Sequence, residues 1–165
     1  MPKRKSPSLS EKPKRAASLK KVAEKNALQV AALPVRQAAD GGLEVLLVTT
    51  RETRRWIPPK GWPMKGRKPY RAAAIEAQEE AGVTGQISKT PVGHYSYGKR
   101  LAGGGVVPCQ VAVYVLAVTD HLPNWREQGQ RDVQWVSPEV AAMLVEEPEL
   151  AALILDLARS TSLEE

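Results

Sequence analysis

Phenylalanine is absent from this sequence, and aromatic residues make up only 5 % of its 165 positions. A core must therefore rest on Val, Leu, Ile and Ala with a few Trp. The single cysteine, Cys109, excludes an intramolecular disulfide framework and a Cys-based zinc site; it reads as an inert strand residue. Two histidines, His94 and His121, leave little room for a His-rich metal centre. No apolar run approaches the ~18 residues of a membrane span, so no membrane partner is expected. The basic N-terminus is not followed by the apolar stretch of a signal peptide, and the default location is the cytoplasm. What is present, 42 % apolar and 25 % charged residues, suits one packed domain.

The charge is unevenly placed. Formal net charge is +6, yet residues 1–25 hold nine of the 24 Lys and Arg and two of the 18 acidic residues, leaving the remainder at −1. That segment carries Pro2, Pro7 and Pro13, several Ser and almost nothing apolar. It cannot bury enough surface to offset its ordering entropy, so residues 1–24 are expected to form a basic disordered tail, with the domain over 25–165. Its prolines and its excess of Lys over Arg argue against an amphipathic transit peptide. A solvated tail is the plain reading of such a run; contact with nucleic acid or another polyanion is the functional one.

Along the domain, residues 27–36 and 44–50 are aliphatic, β-branched runs separated by Asp40-Gly41-Gly42, which predicts a hairpin. Residues 55–57 suit a short strand ended by Pro58-Pro59, and the Gly-, Pro- and Lys-rich 60–69 reads as a loop. Residues 70–81 contain no Gly or Pro and predict a helix, begun by Pro69 and stopped by Gly82. Strands follow at about 86–97 and 106–118, joined over Gly103-Gly104-Gly105, and at 132–136. Ser137 caps a helix to about Leu144, and 148–160 forms a last helix with Leu150, Leu153, Ile154 and Leu157 on one face. Helices on both faces of a mixed sheet, an α/β fold, is the natural solution.

The chemistry sits in Lys60 to Val83. At about 100° per residue, Glu76, Glu79 and Glu80 share one helix face, beside an arc of Ala73, Ala74, Ala77 and Ala81. The three carboxylates repel one another, and they sit toward the helix end that disfavours anions. Capping does not explain them. A solvated acidic face balanced by nearby Lys or Arg is one reading; a hard divalent cation such as Mg²⁺, which takes oxygen ligands, is the other.

This segment resembles the Nudix box, whose pattern is Gly, five residues, Glu, seven residues, Arg-Glu, an aliphatic, any residue, Glu-Glu, any residue, Gly and an aliphatic. Gly61 and Gly82-Val83 mark its ends, and Glu76, Glu79 and Glu80 fall on its helix carboxylates. Two positions depart from it. Arg67 stands where the first Glu is expected, and Ile75 where an Arg is expected to orient the glutamates. The resemblance covers residues 27–160 and implies a Nudix-like α/β/α sandwich with a mixed sheet. It further implies a metal-dependent pyrophosphohydrolase using Mg²⁺ or Mn²⁺. Glu76 and Glu80 would be the main metal ligands, and Glu79 a further ligand or the group that orients or deprotonates the water. The backbone at Lys60-Gly61 would add a ligand. Glu127 is a candidate extra carboxylate, although an exposed loop Glu is its commoner reading.

Arg51, Arg54, Arg55, Lys60, Lys65, Arg67 and Lys68 place seven cations within 18 residues, with Trp56 and Trp62 among them. Cations beside a metal site suit a substrate with several phosphates. Arg55, Trp56, Ile57, Pro59, Lys60 and Gly61 resemble the segment preceding the box in diphosphoinositol polyphosphate and diadenosine polyphosphate hydrolases. The implied substrate is such a phosphorylated small molecule, bound through Arg51, Arg54, Arg55, Trp56, Lys60, Lys65 and Arg67. Trp125 and Trp135 read as packing residues, Tyr95 and Tyr97 share a strand face, and His94 reads as a surface residue. Arg131 either reaches the site or pairs with a glutamate. The alternative to an enzyme is a Nudix-fold module, impaired in turnover, that holds polyphosphate or RNA.

Overall fold

The computed structural model describes residues 28–164. The basic segment 1–24 lies outside them. In chain order the elements are β1 (Leu28–Gln37), β2 (Leu43–Thr49), β3 (Trp56–Ile57), β4 (Lys60–Gly61), α1 (Pro69–Ala81), β5 (Val83–Ile87), β6 (Gly93–Arg100), β7 (Val106–His121), β8 (Val133–Val136), α2 (Pro138–Leu144) and α3 (Pro148–Glu164). Among the described residues, no helix is long and apolar enough to cross a membrane.

The sheet is mixed. β1 runs parallel to β7, with Leu28–Val35 beside Gln110–Ala117, and every other pairing is antiparallel. β1 and β2 form the expected hairpin, Val35 opposite Val45. Both faces of the central strands are covered, so their sequences read as nearly continuous apolar runs. The two-residue period then sorts the side chains. Val30, Ala32, Leu46, Val48 and Leu116 pack toward Ala72, Ala73, Ala77 and Ala81 of α1. Ala31, Leu33, Val45, Leu47, Val111 and Val113 pack toward Ala141, Leu150, Leu153 and Ile154 of α2 and α3. Each large aliphatic so buried contributes roughly 1.5–3 kcal/mol. This is the expected α/β/α sandwich.

Three local expectations are corrected. The loop foreseen over 60–69 begins with a strand: β4 pairs Lys60 with Ala31 and Gly61 with Val30. The strand foreseen over 86–97 is two strands, β5 and β6, which share the edge of β7 opposite β1. Ser88 breaks the run: its hydroxyl donates to the Thr90 carbonyl (3.0 Å) and accepts from Val115 N–H (3.1 Å), just before Pro91. β7 also continues past 118, because β5 pairs with it as far as His121.

Helix α1 ends where Gly82 adopts φ 69° and donates its N–H to Gln78 O. A Cβ at Gly82 would also lie 2.4 Å from the Trp125 ring. Gly82→Ala is therefore expected to cost about 2–3 kcal/mol, from left-handed strain plus overpacking. Chemical denaturation checks this; a loss under about 0.5 kcal/mol, the size of an ordinary surface change, would contradict it.

Candidate active site

The small residues of α1 let it lie close on the sheet, and this closeness buries the adjoining carboxylate row to different depths. Glu80 is 4 % exposed, Glu76 is half-buried, and the Glu79 side chain keeps 30 % of its surface. Burial pushes the Glu80 carboxyl up to about 9, against the pull of the Arg131 guanidinium; Glu76 and Glu127 push it the same way as burial. Burial also raises Glu76, which shares a hydrogen bond with Glu80. Two carboxyl groups this close cannot both ionise without a counter-charge.

The segment between β7 and β8 is hooked onto the end of α1. Leu122 N–H donates to Gly82 O (2.7 Å) and Glu127 N–H to Glu79 O (2.9 Å), while Trp125 lies over Gly82. These ties bring a fourth carboxylate, Glu127, beside the helix row. Arg131 Nε donates to Glu127 Oε1 at 2.7 Å, and Arg131 Nη2 lies 3.8 Å from Glu80 Oε2. Arg126 lies 3.4 Å from Glu79 on the exposed side.

Strand β4 closes the other flank. A Cβ on Gly61 would fall 2.5 Å from the Glu76 carboxyl carbon, so only glycine lets Glu76 lie over this backbone. Lys60 turns its side chain toward β6. Its Nζ donates to Gln29 Oε1 (3.0 Å) and to Tyr97 Oη (2.9 Å) and lies 4.4 Å from the centre of the Tyr97 ring. Burial, then the nearby Lys99 charge, lowers its ammonium to about 8.

The donor set fits a hard divalent cation. Glu80 Oε1 is buried and meets no hydrogen-bond donor, and the carboxylates converge from α1 and the 122–131 loop. Among the described residues, no three acidic, His or Cys side chains already close around one cation position. Glu76 and Glu80 are instead turned to each other, and Glu127 to Arg131. Glu76, Glu80 and the Lys60-Gly61 backbone would hold the ion, with Glu79 and Glu127 at its margin.

Beside the carboxylates opens a cleft of about 570 Å³. Among the described residues, six cations line it, Arg51, Arg55, Lys60, Lys99, Arg100 and Arg131, against two carboxylates, Glu52 and Glu146. Arg131 and β4 belong to both parts, touching the carboxylates on one side and the cleft on the other. Arg55 is braced by Glu147 (3.3 Å), itself buried, and by Glu146 (3.6 Å). Carboxylates on a helix next to a cationic cleft are suited to gripping a polyphosphate and polarising one of its bonds.

Comparison with known proteins agrees. The family model of the NUDIX domain matches residues 25–157. The chain belongs to the Nudix family. Among curated proteins, Nudix hydrolase 12, mitochondrial, of Arabidopsis thaliana is 31 % identical over 108 residues, 62 % of this chain and 52 % of that protein. Diphosphoinositol polyphosphate phosphohydrolase 2 of Rattus norvegicus is 33 % identical over 106 residues, 62 % of this chain and 55 % of that protein. The chain thus spans little more than half the length of the curated relatives it matches. Among solved structures, the Ap4A hydrolase of C. elegans superposes with a TM-score of 0.60 at 21 % identity, covering 82 % of this chain and 98 % of that one; this likeness concerns the fold.

Within this Nudix domain, the box positions Gly61, Glu76 and Glu80 come together, and Glu79 lies on the exposed flank facing Arg126. Of the residues expected to bind substrate, Arg51, Arg55 and Lys60 line the cleft, whereas Arg54, Trp56, Lys65 and Arg67 do not. Arg54 adopts φ 56° and turns to Asp132 (3.6 Å) and the Gln130 carbonyl (3.3 Å). Trp56 packs against the core shared with α2 and α3. Lys65 and Arg67 are exposed in the loop before α1. Lys99, Arg100 and Glu147 are cleft or bracing residues that sequence reasoning missed. Lys99 had a signal: it continues the alternate positions of Tyr95 and Tyr97 along one strand. Trp125 and Trp135 pack as expected, Trp135 Nε1 donating to His121 Nε2 at 3.0 Å.

Proposed function

We propose that this chain is a metal-dependent pyrophosphohydrolase that cleaves a phosphoanhydride in a highly phosphorylated small molecule, a diphosphoinositol polyphosphate or a dinucleoside polyphosphate, with Mg²⁺ or Mn²⁺. The observation that carries this reading is the junction of the carboxylate row with the six-cation cleft through Arg131 and β4. A divalent cation bound there would neutralise phosphate oxygens and lower the pKa of a coordinated water. The chain's own residues do the rest. Arg51, Arg55, Lys60, Lys99 and Arg100 grip non-reacting phosphates. An arriving phosphate favours the charged form of Lys60. Glu79, on the exposed flank of the row, orients the attacking water or takes its proton. Water adds to one phosphorus, the bridging P–O bond breaks, and the leaving phosphate departs with the bridging oxygen.

Cleft composition favours the diphosphoinositol polyphosphate. Among the described residues, Tyr97 is the one aromatic of its lining, and Lys60 Nζ lies 4.4 Å from the centre of that ring. The Trp62 ring nearby lies 5.2 Å from Lys99 Nζ. Among the described residues of the lining, cations outnumber aromatic rings six to one, which suits phosphates better than a nucleobase.

The test is a product assay on diphosphoinositol polyphosphates, diadenosine polyphosphates, ADP-ribose and triphosphate-ended RNA, with Mg²⁺, Mn²⁺ or chelator. Metal-dependent cleavage, fastest on the diphosphoinositol rows, is expected. No turnover on any row, with salt-sensitive binding that persists in chelator, would overturn the enzyme reading and leave a polyphosphate- or RNA-binding module.

A further inference from the structure

Helix α1 presents its carboxylates without a counter-cation of its own. Its single basic residue, Arg71, lies near the Tyr70 ring (5.7 Å) at the opposite end, and position 75 is Ile. The counter-charge arrives from elsewhere in the chain. The Arg131 side chain, 10 % exposed, spreads its guanidinium over three acceptors on three elements. Nε donates to Glu127 Oε1 at 2.7 Å, Nη1 donates to the Thr49 carbonyl at 3.0 Å, and Nη2 faces Glu80 Oε2 at 3.8 Å. The backbone behind it is stitched down. Asp132 N–H donates to Thr49 Oγ1 (2.9 Å), and Thr49 N–H donates to the Asp132 carbonyl (3.1 Å). Thr49 itself is 2 % exposed. The fork is thus anchored to the end of β2 and reaches forward to one carboxylate on α1 and one on the following loop.

We propose that Arg131 is the positioning residue of the carboxylate site: its fork sets Glu80 and Glu127 in the arrangement that receives the divalent cation. This inference rests on the reading of that site as a metal-dependent one. The charge-keeping variant separates it from plain electrostatics. As a charge alone, Arg131 repels a cation but also favours the ionised Glu80, and a lysine in its place would leave cation binding nearly unchanged. As a positioning fork, removing it frees two buried or half-buried carboxylates and weakens binding, on the order of 10- to 100-fold for outer groups that orient ligands.

The test is titration of the substrate-free full chain with Mn²⁺ by calorimetry, for wild type, Arg131→Ala and Arg131→Lys, with thermal unfolding as the check that each variant is folded. At least roughly 10-fold weaker Mn²⁺ binding is expected for both variants. The lysine variant keeps the charge and most of the bulk, so it folds, but a single ammonium cannot span three acceptors in a fixed fork. Unchanged or tighter Mn²⁺ binding in the folded lysine variant overturns the proposal. So does unchanged Mn²⁺ binding in the folded Arg131→Ala variant, which would leave Arg131 a lining cation of the cleft only. Failure of the wild type to bind Mn²⁺ would instead overturn the metal-dependent reading on which the proposal stands, and it is visible before any variant is measured.

Discussion

Replacing Glu80 by Gln is expected to lower metal-dependent turnover on the order of 10³-fold, the effect of several kcal/mol of lost cation-mediated charge stabilisation. The same substitution should stabilise the metal-free protein at alkaline pH. In the fold the Glu80 carboxyl sits at about 9, against an ordinary 4.5. Between those values the native state keeps a proton that the unfolded chain has released. The protonated group's contribution is complete below about 4.5 and is lost as pH rises toward 9, so stability falls with pH. Gln cannot ionise and removes that slope. Thermal unfolding in chelator between about pH 5 and 9 checks the sign: wild type should decline more steeply than Glu80→Gln. Parallel profiles, or a variant that keeps its turnover, would contradict the account.

The second large effect is expected from Gly61→Ala, and it should separate activity from stability. The three atoms nearest the new Cβ would all belong to the Glu76 carboxyl, at 2.5–2.6 Å. A carboxyl at the end of a flexible side chain can swing away at small cost, so the unfolding temperature should move by only a few degrees. The swing displaces Glu76 from the site, and a misplacement of about 1 Å in a positioned group costs on the order of 10² in rate. Measured kcat beside the unfolding temperature decides this. Full activity would show that Glu76 does not need its place over β4; a collapse in stability would show that Gly61 serves packing instead.

Much of this was legible in the chain because periodicity and end signals are local. Pro69 and Gly82 bracket α1, Ser137 caps α2 by accepting from Val140 N–H at 3.2 Å, and the continuous apolar runs of β1 and β7 announce strands buried on both faces. The Nudix spacing placed Glu76, Glu79 and Glu80 on one helix face with Gly61 before them. The remainder depends on contacts distant in sequence. β4 is two residues long and exists because β1 offers an edge at Val30 and Ala31. The division of β5 from β6 turns on hydrogen bonds of a single Ser88 hydroxyl. Nothing local distinguishes the Arg54 that turns to Asp132 from the Arg55 held in the cleft by Glu147; their partners lie 78 and 92 positions away. Glu127 resembles any loop glutamate until its backbone N–H is found on Glu79 O.

Divalent-cation binding by the metal-free full chain, followed by calorimetry near pH 7 in buffers of different ionisation enthalpy, decides whether the carboxylate row is a cation site. Burial raises both the Glu76 and Glu80 carboxyls, so a cation held by them would compete with protons. Mn²⁺ binding coupled to proton release is expected, with both the binding and the release lost in Glu80→Gln. Absence of Mn²⁺ binding, or binding that Glu80→Gln leaves untouched, would contradict it.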